Sequence, residues 1–235
     1  ETPQDLPDLE QLMLHKLLMD AYQSELEAAG HEVVRLEIGE HPATEAVFAR
    51  LKQDGIKEMH IVDTTDDFLE RAIAASGIER VWYDSPLFIL PKEEAVERYQ
   101  KSGRFMAKFY KQLRIDQEIL LEADSSPTGG KWSFDEDNRK KLPKDVELPE
   151  DIVLIESDDI DDAAEWVKGV EAEQYGTASC WLPYTHADAE EFLQEFLRVR
   201  LEQFGPYEDA LSDRGTRLFH STLSPLINIG LLTPQ

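Results

Sequence analysis

The chain has 235 residues, of which 41% are hydrophobic, so it can bury a substantial core. Its 24 basic and 49 acidic side chains give a formal net charge of −25, which excludes a protein whose whole surface binds nucleic-acid phosphates. The single cysteine, Cys180, excludes a disulfide-rich secreted scaffold, and no apolar run approaches the roughly 20 residues of a membrane helix, so the composition predicts a cytoplasmic protein with no membrane partner.

The first third of the sequence alternates helical and strand patterns. Apolar residues at helical spacing predict a helix over residues 8–29, with Gly30 as its stop signal. The pattern predicts further helices over 43–53 and 66–75, and it predicts strands over 33–38, 59–62 and 81–83. Short β-branched runs separated by helices are typical of crossover units, so the sequence predicts an α/β fold with a Rossmann-like parallel sheet.

The start of the sequence does not follow this pattern. Doubly wound domains begin with a strand, whereas a polar, proline-containing stretch and then a helix come first here. Two interpretations remain open: the first strand of the sheet is missing from the sequence, or the sheet begins at Val33.

Residues 98–144 are locally basic, with 11 Lys and Arg against 7 Asp and Glu. Four basic residues are predicted to share one helical face: Lys101, Arg104, Lys108 and Lys111. Phe105, Phe109 and Leu113 would lie on another face. A solvated amphipathic helix and a phosphate-facing helix are equally good interpretations of this pattern.

Turn-forming residues at 124–130 and the following prolines indicate a domain boundary. Residues 145–173 carry twelve acidic side chains against Lys168 alone, which is typical of a solvated or mobile face, and we assign them no ligand. A capped helix is predicted from Thr185, and a second helical element over 223–232. The first of these helices carries a predicted buried stripe of Phe192, Leu193, Phe196, Leu197, Val199 and Leu201.

Among the six histidines, His220 stands out because three hydroxyl side chains follow it, from Ser221, Thr222 and Ser224, directly before Pro225. Hydroxyls and free backbone N–H groups at a helix start form an anion site, whereas a simple N-cap role for Ser224 is the alternative.

Four blocks of sequence resemble the deoxyribodipyrimidine photolyase-related family, which includes iron–sulfur bacterial cryptochromes and (6-4) photolyases. The most specific block is Gly129–Pro143, with the sequence GGKWSFDEDNRKKLP. The basic block 104–114 and the pair of blocks 204–210 and 219–225 agree with it. The resemblance covers most of the chain and is weakest before Asp63.

This resemblance implies an α/β antenna domain at residues 1–120, an interdomain linker at 121–165, and the N-terminal part of an all-α FAD-binding domain at 166–235. It implies FAD, a [4Fe-4S] cluster and a lumazine antenna pigment as cofactors of the full-length family. Photolyases hold the FAD phosphates with a Thr-Ser-x-Leu-Ser-Pro motif. In this sequence Ser221, Leu223 and Ser224 match that motif, Thr222 fills its variable position, and His220 replaces its threonine. Tyr207 corresponds to an upstream FAD-contacting tyrosine.

The departures from the family pattern are equally informative. The family's first strand, its flavin-reducing tryptophans and its four cluster cysteines have no counterpart, and Cys180 matches none of those cysteines. The resemblance therefore predicts an internal piece of a longer protein, which alone binds FAD weakly or not at all and contains no iron.

For the full-length protein, the resemblance implies a monomer that uses light to transfer an electron from reduced FAD to a UV pyrimidine lesion in damaged DNA. No catalytic residue can be assigned. One alternative is a cryptochrome-like blue-light photoreceptor that signals without repair, which the net charge favours slightly. Another is a stand-alone nucleotide-binding α/β module with a helical tail.

Overall fold

The computed structural model describes residues 8–36, 43–170 and 175–235. Its elements in chain order are α1 (Leu9–Ala28), α2 (Thr44–Gln53), β1 (Glu58–Val62), α3 (Asp67–Ser76), β2 (Glu79–Tyr83), α4 (Lys92–Lys101), α5 (Met106–Asp116), α6 (Asp158–Lys168), α7 (His186–Glu195), α8 (Leu201–Tyr207) and α9 (Ser224–Asn228). A π-helical turn, Phe196–Arg200, joins α7 to α8. The predicted mixed α/β class with a parallel sheet is confirmed, whereas the Rossmann-like order and the FAD-binding character of the helical part stay predictions.

Contacts within the chain form two groups. One group contains α1 and the residues from Lys111 to Thr233, and the other contains residues 32–110 with the last two residues. The predicted domain boundaries at 120 and 165 stay a prediction. None of the helices in the described part of the chain is both long and apolar enough to cross a bilayer.

The helices α1 and α6 form the core of the first group. The Asp8 carboxylate caps α1 by accepting from the Glu10 N–H at 2.9 Å. One buried cluster joins the two helices and the segment before α7, and it comprises Met13, Leu17, Ile160, Ala163, Val167 and Cys180. Burial of these side chains provides the main hydrophobic stabilisation of this group.

This packing corrects part of the prediction for the acidic segment 145–173. Its residues 158–168 form α6, in which every third or fourth residue is apolar and buried while the acidic side chains face outward. The Ser157 hydroxyl caps the helix by accepting from the Ile160 N–H at 3.3 Å. Helix α6 is therefore exposed to solvent on its acidic face only.

The second group contains the sheet. Strands β1 and β2 pair in parallel, with Glu58 opposite Glu79 and Val62 opposite Tyr83, and α3 forms the crossover between them. The Asp66 carboxylate caps α3, and Gly77 ends it with a left-handed φ of +69°. These signals explain why this crossover unit agrees with the prediction from sequence.

The predicted strand over 33–38 is wrong for its described part. Residues 33–36 have no regular secondary structure, and residues 37 and 38 lie outside the described ranges. The described sheet begins at Glu58, so the interpretation that it begins at Val33 is also wrong. A β-branched run becomes a strand only where a neighbouring strand accepts and donates its hydrogen bonds, and the described residues form no such pairing with it.

The predicted continuous basic face is also wrong. Helix α4 ends at Lys101 and α5 begins at Met106, because Gly103 and Arg104 adopt left-handed φ values of +71° and +63°. Lys101 therefore does not share a helical face with Lys108.

The predicted buried stripe over residues 192–201 is only partly correct. Phe196 is buried and Phe192 and Leu193 are half-buried, but the side chains of Leu197, Val199 and Leu201 are exposed. The π-helical turn adds residues to one turn and rotates the following positions, so Arg200 takes the inward place that helical spacing gives to apolar residues.

The core packing predicts different effects for two methionines of the same helix. Met13 is fully buried, whereas Met19 is 55% exposed. We expect Met13→Ala to lower the free energy of unfolding by about 2 to 5 kcal/mol, because it leaves a cavity between α1 and α6. Met19→Ala is the matched control and should change it by less than about 0.5 kcal/mol. Urea unfolding followed by circular dichroism measures both, and equal effects would contradict the assignment of this core.

Candidate functional site

The segment from His220 to Ser224 connects a loop to the short helix α9. Thr222 has a left-handed φ of +53°, and Leu223 follows with right-handed angles of −82° and −22°. Alternating left- and right-handed residues turn successive N–H groups towards one concavity, an arrangement that binds anions. The backbone here therefore forms such a nest, contributed by the N–H groups of Thr222, Leu223 and Ser224.

The donors of this nest are available. The N–H groups of residues 221–224 make no backbone hydrogen bond within the described part of the chain, and the hydroxyls of Ser221 and Ser224 have no partner there either. Residues 221–223 are half-buried and Ser224 is exposed, so a ligand can reach these donors, and the N–H groups at the start of a helix have no intrahelical partner. Such donors can bind an anionic group directly.

The geometry decides against Ser224 as an N-cap. Leu223 occupies the cap position of α9, no side chain caps this helix, and Ser224 is its first residue. The helix ends at Asn228 rather than at the predicted 232, and Gly230 follows with a φ of +86°. A helix of one turn has a small macrodipole, so anion binding depends on the nest and the hydroxyls.

Two arginines lie behind the nest, and the sequence analysis did not identify either. Arg200 is 1% exposed and Arg217 is 6% exposed. Arg200 Nε lies 3.0 and 3.2 Å from the two carboxylate oxygens of Glu195, and Arg217 Nη2 lies 3.0 Å from one of them. The guanidinium of Arg217 also stacks over the Phe192 ring, with its carbon 4.1 Å from the ring centroid.

Arg217 connects this ion-pair network to the nest. Its Nη2 donates to the Ser221 carbonyl oxygen at 3.4 Å, while its buried Nε has no hydrogen-bond partner among the described residues. Burial and the neighbouring Arg200 lower the pKa of Arg217, and Glu195 opposes that shift. The one signal in the sequence was the position of Arg200 within an apolar stripe.

Asp151 holds the loop that leads into the nest. Its carboxylate accepts from the N–H groups of Thr216 and Arg217 at 2.7 and 2.8 Å. These backbone hydrogen bonds hold the pKa of the Asp151 carboxyl below its ordinary value. Arg200 adds a second connection, because it donates to the carbonyl groups of Glu150 and Leu218.

The remaining predicted site residues are Tyr207 and His220. Tyr207, at the end of α8, stacks on Phe219 with ring centroids 5.7 Å apart. His220 Nε2 lies 3.2 Å from the carbonyl oxygen of Ala210, and its side chain lines a cavity of about 510 Å³. Residues 220–224 are contiguous in the sequence. Tyr207 comes next to them in the structure because it stacks on Phe219, the residue before His220.

The described residues do not fit an iron–sulfur cluster. They contain no group of three or more histidine, cysteine or acidic side chains placed to hold a metal ion. Cys180 is buried and donates to the Leu182 carbonyl at 3.3 Å, and burial raises the pKa of its thiol to about 11. Cluster ligation requires thiolates, so Cys180 acts here as a core side chain.

Comparison with known proteins identifies relatives of this chain. The family described as deoxyribodipyrimidine photo-lyase-related protein matches residues 8–181. A (6-4) photolyase from Agrobacterium fabrum is 30% identical over 128 residues, which cover 54% of this chain and 25% of that protein. An uncharacterized protein from Acanthamoeba polyphaga mimivirus is 28% identical over 150 residues, covering 59% of this chain and 74% of that protein. The chain therefore spans about a quarter of the length of the photolyase that it matches.

The role of Asp151 can be tested through pH. A carboxyl whose pKa is lower in the folded chain stabilises the fold above its unfolded pKa and loses this effect as the pH falls through the folded value. We expect Asp151→Asn to lower the free energy of unfolding by about 1 kcal/mol at neutral pH, and this difference from the wild type to shrink below about pH 4. Asp145→Asn, at an exposed position of the same segment, is the control. Unfolding curves at neutral pH and below about pH 4 measure the free energy of unfolding of each variant. A loss of stability in Asp151→Asn that does not change with pH would refute this role of Asp151.

Proposed function

Because its family match covers residues 8–181, this chain belongs to the deoxyribodipyrimidine photo-lyase-related family, and we propose that the full-length protein carries out light-driven, FAD-dependent repair of a UV pyrimidine lesion in DNA. The naming of its Agrobacterium relative as a (6-4) photolyase supports this proposal. FAD, when bound, supplies the light-driven electron.

The nest with unused N–H donors is the observation that carries the proposal. A diphosphate offers several anionic oxygens, and the donors at 221–224 are backbone N–H groups and hydroxyls without protein partners. The residues present therefore fit the diphosphate of FAD. Ser221 and Ser224 would donate through their hydroxyls, and Thr222 and Leu223 through the backbone.

His220 and Tyr207 have supporting roles in this proposal. The ring of His220 is anchored at the Ala210 carbonyl, so it holds the start of the motif in place. Tyr207 is half-buried and stacked on Phe219, which leaves its ring in a fixed orientation beside the motif. The [4Fe-4S] cluster and the lumazine pigment are proposals for the full-length protein, and we assign no residue of this chain to either.

The approach to damaged DNA is the second part of the proposal. Two basic side chains of α4 form ion pairs with glutamates one helical turn earlier, Arg98 with Glu94 and Lys101 with Glu97. Lys111 and Arg114 instead lie over the ring of Trp132, at 4.7 and 5.2 Å from its centroid. Arg114 is buried and donates to backbone carbonyl groups, so the exposed Lys111 beside the Trp132 ring provides the combination of cation and aromatic ring that contacts nucleic acid.

A cryptochrome-like photoreceptor is the second candidate function. The net charge of −25 and the internal pairing of the α4 cations both oppose binding to a DNA backbone. Blue-light illumination of the full-length protein with a lesion-bearing oligonucleotide separates the two candidates. Restored pyrimidines support repair, whereas flavin photoreduction without repair supports the photoreceptor.

The two serines provide the direct test of the diphosphate site. In the full-length protein, we expect Ser221→Ala and Ser224→Ala each to weaken FAD binding by roughly ten- to a hundredfold, the effect of about 1.5 to 3 kcal/mol for a lost charge-assisted hydrogen bond. The melting temperature should change little, because neither hydroxyl has a partner in the described structure. Ser24→Ala, at an exposed position of α1, is the control. Unchanged flavin release in both variants would rule out this site.

A further inference from the structure

The carbonyl group of Ser221 receives two hydrogen bonds. The Thr222 hydroxyl donates to its oxygen at 2.6 Å, and Arg217 Nη2 donates to it at 3.4 Å. The N–H group of Thr222 lies at the opposite end of the same planar peptide and belongs to the nest. Arg217 therefore contacts the back of the peptide whose front would face an anion.

This contact affects the nest in two ways. A carbonyl that accepts hydrogen bonds is polarised, which makes the N–H group of the same peptide a stronger donor. The contact also fixes the orientation of this peptide, and Thr222 needs such support because a β-branched residue rarely adopts a left-handed φ. Both effects act on the anion through the backbone.

The buried positive charge of Arg217 also favours an anion at the nest. Arg200 and Arg217 are both buried and share the carboxylate of Glu195, so these direct ion pairs contain two cations and one anion. Asp151 supplies a second negative charge, which interacts with Arg200 while its oxygens accept from backbone N–H groups. Burial makes the charge of Arg217 costly even beside Glu195, and an anion bound close to it would lower that cost.

Arg217 differs from Arg200 in what remains unused. Arg200 donates to Glu195, Glu150 and Leu218, which is a structural role. Arg217 has one buried donor, Nε, without a partner among the described residues, and it is the arginine that contacts the nest.

We propose that Arg217 is a positioning residue that orients and polarises the Ser221–Thr222 peptide and supplies positive charge, so that the nest selects a diphosphate group over uncharged ligands. The identity of the natural ligand rests on the proposed function, whereas anion selection by Arg217 is a property of the chain itself.

Inorganic pyrophosphate is the first probe, because it presents the diphosphate without the rest of a nucleotide. We expect it to bind the wild-type chain in calorimetry, with an affinity that falls as salt is added. Arg217→Met should weaken this binding by about tenfold and reduce its salt dependence, and Arg217→Lys should restore part of both. Arg198→Met is the control, because it removes an exposed arginine from the π-helical turn. It should change neither the affinity for pyrophosphate nor its salt dependence.

Flavins are the second probe, used with the full-length protein. FAD carries the diphosphate and riboflavin does not, so Arg217→Met should weaken FAD binding by about tenfold and leave riboflavin binding unchanged. A purely structural role would weaken both by the same factor, and that result would overturn the proposal. Where Arg217→Met fails to fold, Arg217→Lys and the salt dependence of the wild type decide.

The outcomes separate this inference from the proposed function. Failure of pyrophosphate to bind the wild-type chain, or equal binding to Arg217→Met, refutes the role of Arg217. Pyrophosphate binding that depends on Arg217, in a full-length protein that binds no FAD, supports the inference and refutes the flavin proposal. FAD binding that does not change in Arg217→Met supports the flavin proposal and refutes the role of Arg217.

Discussion

The candidate site depends on the burial of the Arg200 guanidinium. A buried guanidinium is stable only when its donors are satisfied and its charge is balanced. Arg200 meets this requirement with three separate parts of the chain, at Glu150, Glu195 and Leu218. Each partner is held in place by the same constraint, so the loop before the nest, the π-helical turn and the segment before α6 form one hydrogen-bonded unit.

The π-helical turn makes this arrangement possible. A π-helical turn brings residues five apart onto the same side of the helix, whereas an α-helix does so for residues three or four apart, so this turn aligns Arg200 with Glu195. The wider turn brings the Arg200 Nε to both oxygens of Glu195 and exposes Leu197, Val199 and Leu201 instead. The structure thus loses some apolar burial and gains a fixed cation behind the loop, which is consistent with the frequent occurrence of π-helical turns at functional sites.

Local signals in the sequence predicted the elements that local interactions form. Helices α1 and α3 follow from apolar spacing with Asp8 and Asp66 as caps, and α7 follows from the Thr185 hydroxyl, which accepts from the Asp188 N–H. The strand over 33–38 failed because pairing, not propensity, decides whether a strand forms. The basic face failed because a glycine and a left-handed arginine interrupt the helix at positions where helical spacing alone detects no break.

The candidate site shows the same division. Residues 220–224 could be identified because a hydroxyl-rich motif is contiguous in sequence. The arginines, Glu195 and Asp151 could not, because Arg200 contacts a carbonyl 50 residues away and Asp151 accepts from an N–H group 66 residues away. No sequence pattern of helical or strand period encodes such contacts.

The distant contacts of the two arginines hold a strained part of the backbone. Leu218 and Thr222 adopt left-handed φ values of +48° and +53°, a conformation that costs roughly 1 to 3 kcal/mol for a residue with a side chain. Such strain persists only where the surroundings determine the conformation, and here Arg200 holds the Leu218 carbonyl while Arg217 holds the Ser221 carbonyl. Because the loop is already ordered, an anion that binds to it does not have to supply the free energy of ordering it. In the proposed site, the buried cations would thus favour an anion through the ordered backbone as well as through their charge.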